Sequence, residues 1–337
     1  MNTNTKTKVR HGWVDFSKGI CMIAVVVLYS ANTTRHIFGD AGWMQYWVNF
    51  ARPFRMPDFF LISGLFLANV IDRPISRYLD TKVVHYLYFF ILWSFINLLV
   101  MYFLGQFQGG LGDFIMYLWG MVSSWPFKML WFIQMLPAYF IFTKITRFSP
   151  KWVIFIIACV LHAFPLFHTG RTIIDEFWNR YVFFFSGYAF APLFFSMVKY
   201  VQENVRLTFV FLISWAITNA LLVTYGLATK PFVGVFLGLA GATAILSIGA
   251  LLEKVSFTDW IKYLGQHSIV VYLAFYWFME LAAYYLHEYT LFNIHRGLFA
   301  SLITVAGIVG SLALFWLINW KTRDPFLFRR PAWAFIK

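Results

Sequence analysis

Apolar stretches of about twenty residues recur from one end of this chain to the other, and that single feature leaves few folds open. Inside a lipid bilayer an unpaired backbone N–H or C=O is too costly to leave, so such a stretch has to close its hydrogen bonds internally as a helix. Only 12% of the 337 residues are charged, and 61% are hydrophobic. A soluble domain of that length needs far more charge to cover its surface. The expected fold class is all-α: a polytopic integral membrane protein of about ten transmembrane helices. The first is expected over 16–34, the second over 53–70 and the last over 297–319. No connection is long enough to fold as a separate soluble domain. The organisation expected is a cytoplasmic tail at 1–15, a membrane domain at 16–319 and a basic cytoplasmic tail at 320–337.

A net charge of +13 invites a nucleic-acid reading, but the distribution of the charge argues for topology instead. With the N-terminus placed inside, the outer side keeps Arg35, Arg52, Arg55, Lys128, Arg171, Arg180, Lys230 and Arg296 of the 27 basic residues, and the others collect at cytoplasmic ends and loops. Such a bias is what membrane insertion selects. No nucleic-acid partner is expected. Membrane lipids are, with the basic tail near anionic headgroups. The opening "MNTNTKTKVRHGW" is a polar tail, and no cleavage site follows the first apolar run. Cys21 and Cys159 lie within apolar runs and read as packing residues. No metal is expected, because no His, Cys, Asp or Glu set has ligand spacing.

Polar groups inside the apolar runs are the candidate site residues. Asp15, Ser17 and Lys18 open the first span, and Tyr29 and Ser30 close it. Lys18 and Tyr29 are eleven residues apart, so they share nearly one helical face at a separation of about 16 Å. They mark two depths of one pore, or Lys18 simply snorkels to the headgroups. In "RPFRMPDFFLISG", residues 52–64, Arg52, Arg55 and Asp58 recur at three-residue steps around Pro53 and Pro57. Asp58 is placed to pair with Arg55. The surplus positive charge suits a phosphate, a carboxylate or the developing charge of an acyl transfer. A structural turn with a local ion pair is the plain alternative. Gly64 and the glycines of "GVFLGLAG" are expected at close helix contacts.

The remaining polar groups are weaker signals. Gln134 and His85 interrupt apolar runs as interhelical hydrogen bonders or cavity residues. "RTIIDEFWNR" has ion-pair spacing and reads as a solvated outer loop, with His162 and His168 upstream of it. Ser268 reads as a helix cap beside His267, and Glu280, deep in a span, needs a partner. The glycine-rich segment 105–128 carries "DFIMYLWGMV", a short interfacial or re-entrant helix.

Through "WVDFSKGICMIAVVVLYS", "FRMPDFFLISGLF", "LWFIQMLPAYF" and "LGQHSIVVYL", the chain resembles the acyltransferase 3 family of integral membrane proteins over nearly its whole length. The resemblance implies transfer of an acyl group from a cytoplasmic acyl-CoA, acetyl-CoA among the donors. The implied acceptor is a hydroxyl of an envelope glycan or lipid-linked molecule, and the implied location is the inner membrane of a bacterium. It also implies a basic residue in the first span followed eleven residues later by a histidine that prepares the acceptor hydroxyl. Lys18 and Tyr29 hold those positions here. Lysine keeps the charge without the bidentate fork, and a phenol with an ordinary pKa of about 10 is a poor general base.

On this reading Tyr29, Arg55 and Lys18 are the catalytic candidates. Lys18 and His267 lie towards the CoA, and Arg52, Arg55, Asp58 and Gln134 towards the acceptor. Two other readings stay open: a non-catalytic relative that transports or binds a small anionic or lipidic molecule, and a structural subunit of an envelope complex. A homo-oligomer is equally compatible with the sequence.

Overall fold

The computed structural model describes residues 11–164, 172–321 and 326–336, and among these no residue is in a strand. The chain opens with α1 (Gly12–Phe38), α2 (Met44–Ala51), α3 (Arg55–Leu65) and α4 (Ile75–Leu79). A π-helical turn over Asp80–Val84 leads into α5 (His85–Phe103), followed by α6 (Leu111–Ser123), α7 (Trp131–Thr146) and α8 (Lys151–Ala163). Next come α9 (Thr172–Ala189), α10 (Ala191–Glu203), α11 (Val205–Thr224) and α12 (Val233–Leu252). The chain continues through α13 (Asp259–Gln266), α14 (Ser268–Leu286), α15 (Thr290–Ile294) and α16 (Arg296–Lys321).

Among the described residues seven helical stretches are long and apolar enough to cross a membrane, and an eighth is counted when α9 and α10, bent by 72° at their junction, form one span. The all-α polytopic class therefore holds, and the count of about ten is approximate. α3 and α8, among the apolar helices, are shorter than a bilayer requires. Segment 53–70 contains the 11-residue α3 followed by turns, and α8 has 13 residues. Two prolines and a glycine in the first of these segments leave little room for a longer regular helix.

α1 is the central post, packed against α3, α12, α13, α14 and α16. Trp13, Phe16, Met22 and Val26 on it are almost fully buried. Glycines set how closely the neighbours approach. A Cβ on Gly265 of α13 would strike the backbone carbonyl of Asp15, and one on Gly19 would strike that of Ile261. α13 thus lies directly against the first turns of α1. α3 and α9 cross in the same way, with Gly64 against the Phe184 carbonyl and Gly187 against that of Leu61. The close contact expected at Gly64 is present, as is that of "GVFLGLAG", where Gly241 faces Phe54.

The helix expected within 105–128 is α6, packed on α5. Asp113 closes its start by accepting the Gly110 N–H at 2.9 Å, which satisfies one of the orphan donors of a first turn. Of the tail expected at 320–337, residues 326–336 dock against the start of the α5 segment and α5 itself. Buried Arg330 pairs with Asp80 at 2.7 Å, and the Ile336 N–H donates to the other Asp80 oxygen at 2.8 Å. Trp93 adds an indole hydrogen bond to the Leu327 carbonyl at 2.9 Å. Burying a carboxylate is costly, and a guanidinium plus a backbone N–H offset that cost. The tail at 1–10 and residues 322–325 lie outside the described residues.

Candidate functional site

The polar residues of α1 fall into two groups at its two ends. At the first end, Asp15 accepts from the Gln266 amide at 3.5 Å, and Ser17 donates to the Trp13 carbonyl at 2.8 Å. Lys18, three residues on from Asp15 and so on the same side of α1, is half-buried. His267 stands at the joint between α13 and α14. Its Nδ1 faces the Tyr263 carbonyl at 2.9 Å, and its ring rests on Tyr263 and Phe315. The serine cap expected at Ser268 is not formed. His267 occupies the cap position, and its carbonyl takes the Val270 and Val271 N–H groups. α13 and α14 are joined so tightly that no free turn is left for a serine to close.

The second group surrounds Tyr29. Its ring packs edge-on against Phe275 and Tyr276, and its phenol comes within hydrogen-bonding reach of the Trp131 side chain. Arg55 is within electrostatic reach of the same phenol, and Arg52 and Arg180 both act on Arg55 with like charge. The Arg180 guanidinium lies over the Trp131 ring at 5.0 Å and is bound to Glu176 at 2.6 Å. Trp131 therefore links Tyr29 to Arg180. On the α14 side, Glu280 accepts from Thr33 at 2.8 Å, and its carboxylate lies within electrostatic reach of the Tyr276 phenol. Lys128 covers the Tyr276 ring at 5.5 Å. Glu280 has the partner that its depth demands.

Arg55 and Asp58 do not pair. Arg55 is buried, with Nη1 directed to the Val48 carbonyl at 3.5 Å and Nε without a partner. Asp58 accepts the Cys21 thiol at 3.6 Å, and its other oxygen has no partner. Three residues advance a helix by about 300°, and at the start of α3 the two side chains are claimed by different neighbours, α2 and α1. Cys21 is thus more than a packing residue.

A cleft of about 420 Å³ opens beside this second group, between α3, α8, α9 and the α11–α12 connection. Arg52, Arg180, Lys230, His162, Asn179 and Thr229 are polar residues of its lining. The His162 Nδ1 is bonded to the Asn179 carbonyl, so that nitrogen carries the hydrogen.

A family model for an acyltransferase domain matches residues 11–320, nearly the whole chain. The protein belongs to this acyltransferase family. No curated protein and no solved structure matches it.

For a membrane acyltransferase, the two groups divide the expected residues. The structure brings Tyr29, Arg55 and Arg52 together and leaves Lys18 and His267 at the far end of α1. Gln134 is turned away: its amide donates to the Val122 carbonyl of α6 at 2.7 Å. Its own carbonyl oxygen is buried without a partner. His85 is packed edge-on against Tyr86 and Phe89, and His36 is exposed at the end of α1. "RTIIDEFWNR", expected as a solvated loop, is from Thr172 onward the start of α9, packed on α3, α7 and α8. Its Glu176–Arg180 spacing was visible in the sequence, but the Trp131 contact was not. His168 and Arg171 lie outside the described residues. Among the described residues no three His, Cys, Asp or Glu side chains converge as a metal set.

Proposed function

We propose that this membrane acyltransferase moves an acyl group from an acyl-CoA, acetyl-CoA among the donors, to a hydroxyl of an envelope glycan or lipid-linked acceptor. We place it in the inner membrane of a bacterium, with both termini cytoplasmic. The observation that carries the reading is Arg55: a buried guanidinium with a free Nε and no carboxylate partner, beside the Tyr29 phenol. An unneutralised buried charge costs on the order of several kcal/mol. A site that must meet a developing anion gives that cost a use.

Acyl transfer creates such an anion when the acceptor oxygen attacks the thioester carbonyl. Arg55 and the Tyr29 O–H stabilise the carbonyl oxygen as charge builds on it. The carbon–sulfur bond then breaks, the new ester forms, and the CoA sulfur leaves as the thiol once it has taken up the hydroxyl proton. Tyr29 acts as a donor, which a phenol does well, where a base would be expected. Glu280, linked to the Tyr29 group through the Tyr276 phenol, is the carboxylate that receives the proton on its way. Lys18 and His267, at the other end of α1, serve the nucleotide end of the donor. No covalent enzyme intermediate is needed.

The test uses purified protein in lipid nanodiscs with a panel of labelled acyl-CoA donors and an envelope extract. The expected outcome is thioester loss matched by label in the extract. Tyr29 at the position of the family's histidine favours one rival, a non-catalytic relative that binds or transports a small anionic or lipidic molecule. That rival predicts donor or ligand binding with no thioester consumed, and folded protein behaving so would replace the enzyme reading with it.

A further inference from the structure

The cleft beside the Tyr29 group has a composition that acyl transfer alone does not require. Arg52, Arg180 and Lys230 line it, and among the described residues no aspartate or glutamate does. Arg180 is neutralised by Glu176 at 2.6 Å. Among the described residues neither Arg52 nor Lys230 has a carboxylate partner. Two uncompensated positive charges therefore face one opening, and Arg55 behind it adds to the potential felt there. The rest of the lining is stiff and mostly apolar. Pro53 and Pro57 bracket the start of α3, and Phe183 and Gly234 form part of the wall. A Cβ on Gly234 would come within 3.2 Å of His162 Nε2, so the glycine keeps that nitrogen accessible from the cleft.

Two like charges held together with no acid between them repel, and the arrangement is relieved by a bound dianion. Arginine presents a planar fork that matches two oxygens of a phosphate, and lysine adds a point charge. We propose that the cleft is a phosphate site, taking a phosphomonoester or pyrophosphate group against Arg52 and Lys230, with Arg180 as the inner wall. On the acyl-transfer reading, on which this assignment of a role rests, the group belongs to the acceptor: a phosphorylated or pyrophosphate-linked sugar or lipid. Arg180 lines the cleft and also stacks on Trp131, which reaches Tyr29. An acceptor anchored by its phosphate is thereby led towards the Tyr29 group by its hydroxyl end.

Binding of inorganic pyrophosphate to the full-length protein in phosphatidylcholine nanodiscs, followed by calorimetry, tests the site without relying on turnover. The wild type is expected to show one saturable site that weakens with added salt. Arg52→Ala and Lys230→Ala are each expected to weaken it about tenfold or more, and Arg52→Lys to recover part of that loss. Discs containing phosphatidate separate the sources. Affinity that falls with phosphatidate content identifies a lipid phosphate as occupant, and unchanged affinity identifies a soluble one. No saturable binding, or binding indifferent to both alanine variants while their melting curves match the wild type, overturns the phosphate site. Acyl transfer measured in the same discs keeps the two readings apart. Arginine-dependent binding without transfer retains the site and removes its acceptor role, whereas transfer without such binding does the reverse.

Discussion

Along α1, the turns from Gly12 to Val26 and those from Leu28 to Phe38 meet their neighbours in opposite ways. The first half is clamped. Gly19 and Gly265 bring the α1 and α13 backbones into direct contact, and the Ser17 hydroxyl is satisfied by the Trp13 carbonyl. The second half is surrounded by aromatic rings and by polar groups without partners: the Ser30 hydroxyl on α1 itself and Arg55 Nε across from it. Buried polar atoms are nearly always paired, so the unpaired Ser30 hydroxyl and Arg55 Nε beside Tyr29 ask for a reason that packing does not supply. One helix thus holds a rigid half that fixes position and a half whose polar capacity is left for something that binds.

The contrast can be broken most severely in the clamped half. Gly265→Leu forces a branched side chain into the Asp15 backbone, and a loss of about 3 kcal/mol or more of stability is expected. Melting of the purified variant and its monodispersity measure this. A variant as stable as wild type would mean that α13 is not held against α1. In the other half, Tyr29→Phe removes one hydrogen-bond donor from a ring that still fills its place, so transfer is expected to fall about tenfold with unchanged melting. Lys18→Met is expected to raise the KM for acyl-CoA several-fold and leave kcat nearly intact, because a single point charge at the donor end contributes about 1 kcal/mol of uniform binding. A fall in kcat alone would move Lys18 into the chemistry. Ser30→Ala carries the smallest change. It removes a buried hydroxyl that has no partner, so stability is expected to rise by up to about 1 kcal/mol and transfer to persist. Abolished transfer would instead identify Ser30 as a nucleophile.

The same contrast explains how much could be read in advance. Helices and their membrane character were legible because composition and apolar length are local properties, and Gly64 at a close crossing follows from residue size alone. The Tyr29 and Arg55 region was marked by charge inside an apolar run. What local reading missed depends on partners far along the chain. The expected Arg55–Asp58 pair gave way to the Val48 carbonyl and the Cys21 thiol. Arg180 meets Trp131 only because α7 and α9 pack together. Arg330, expected in the basic tail by its charge, finds its partner in Asp80, 250 residues earlier in the sequence. The spans that fell short did so where prolines and glycines interrupt the apolar pattern, as at Pro53, Pro57 and Gly64.

The central claim is that the unpartnered charge of Arg55 serves acyl transfer. It is tested most directly by the rate of label transfer from acetyl-CoA, or from the best donor in the panel, to an envelope extract, for wild type and Arg55→Ala in the same nanodiscs. Removing one preorganised donor of this kind is expected to lower the rate about a hundredfold or more, with the variant as stable as wild type or more so, since a buried unpaired charge has been removed. Equal rates in a folded Arg55→Ala protein would contradict the account.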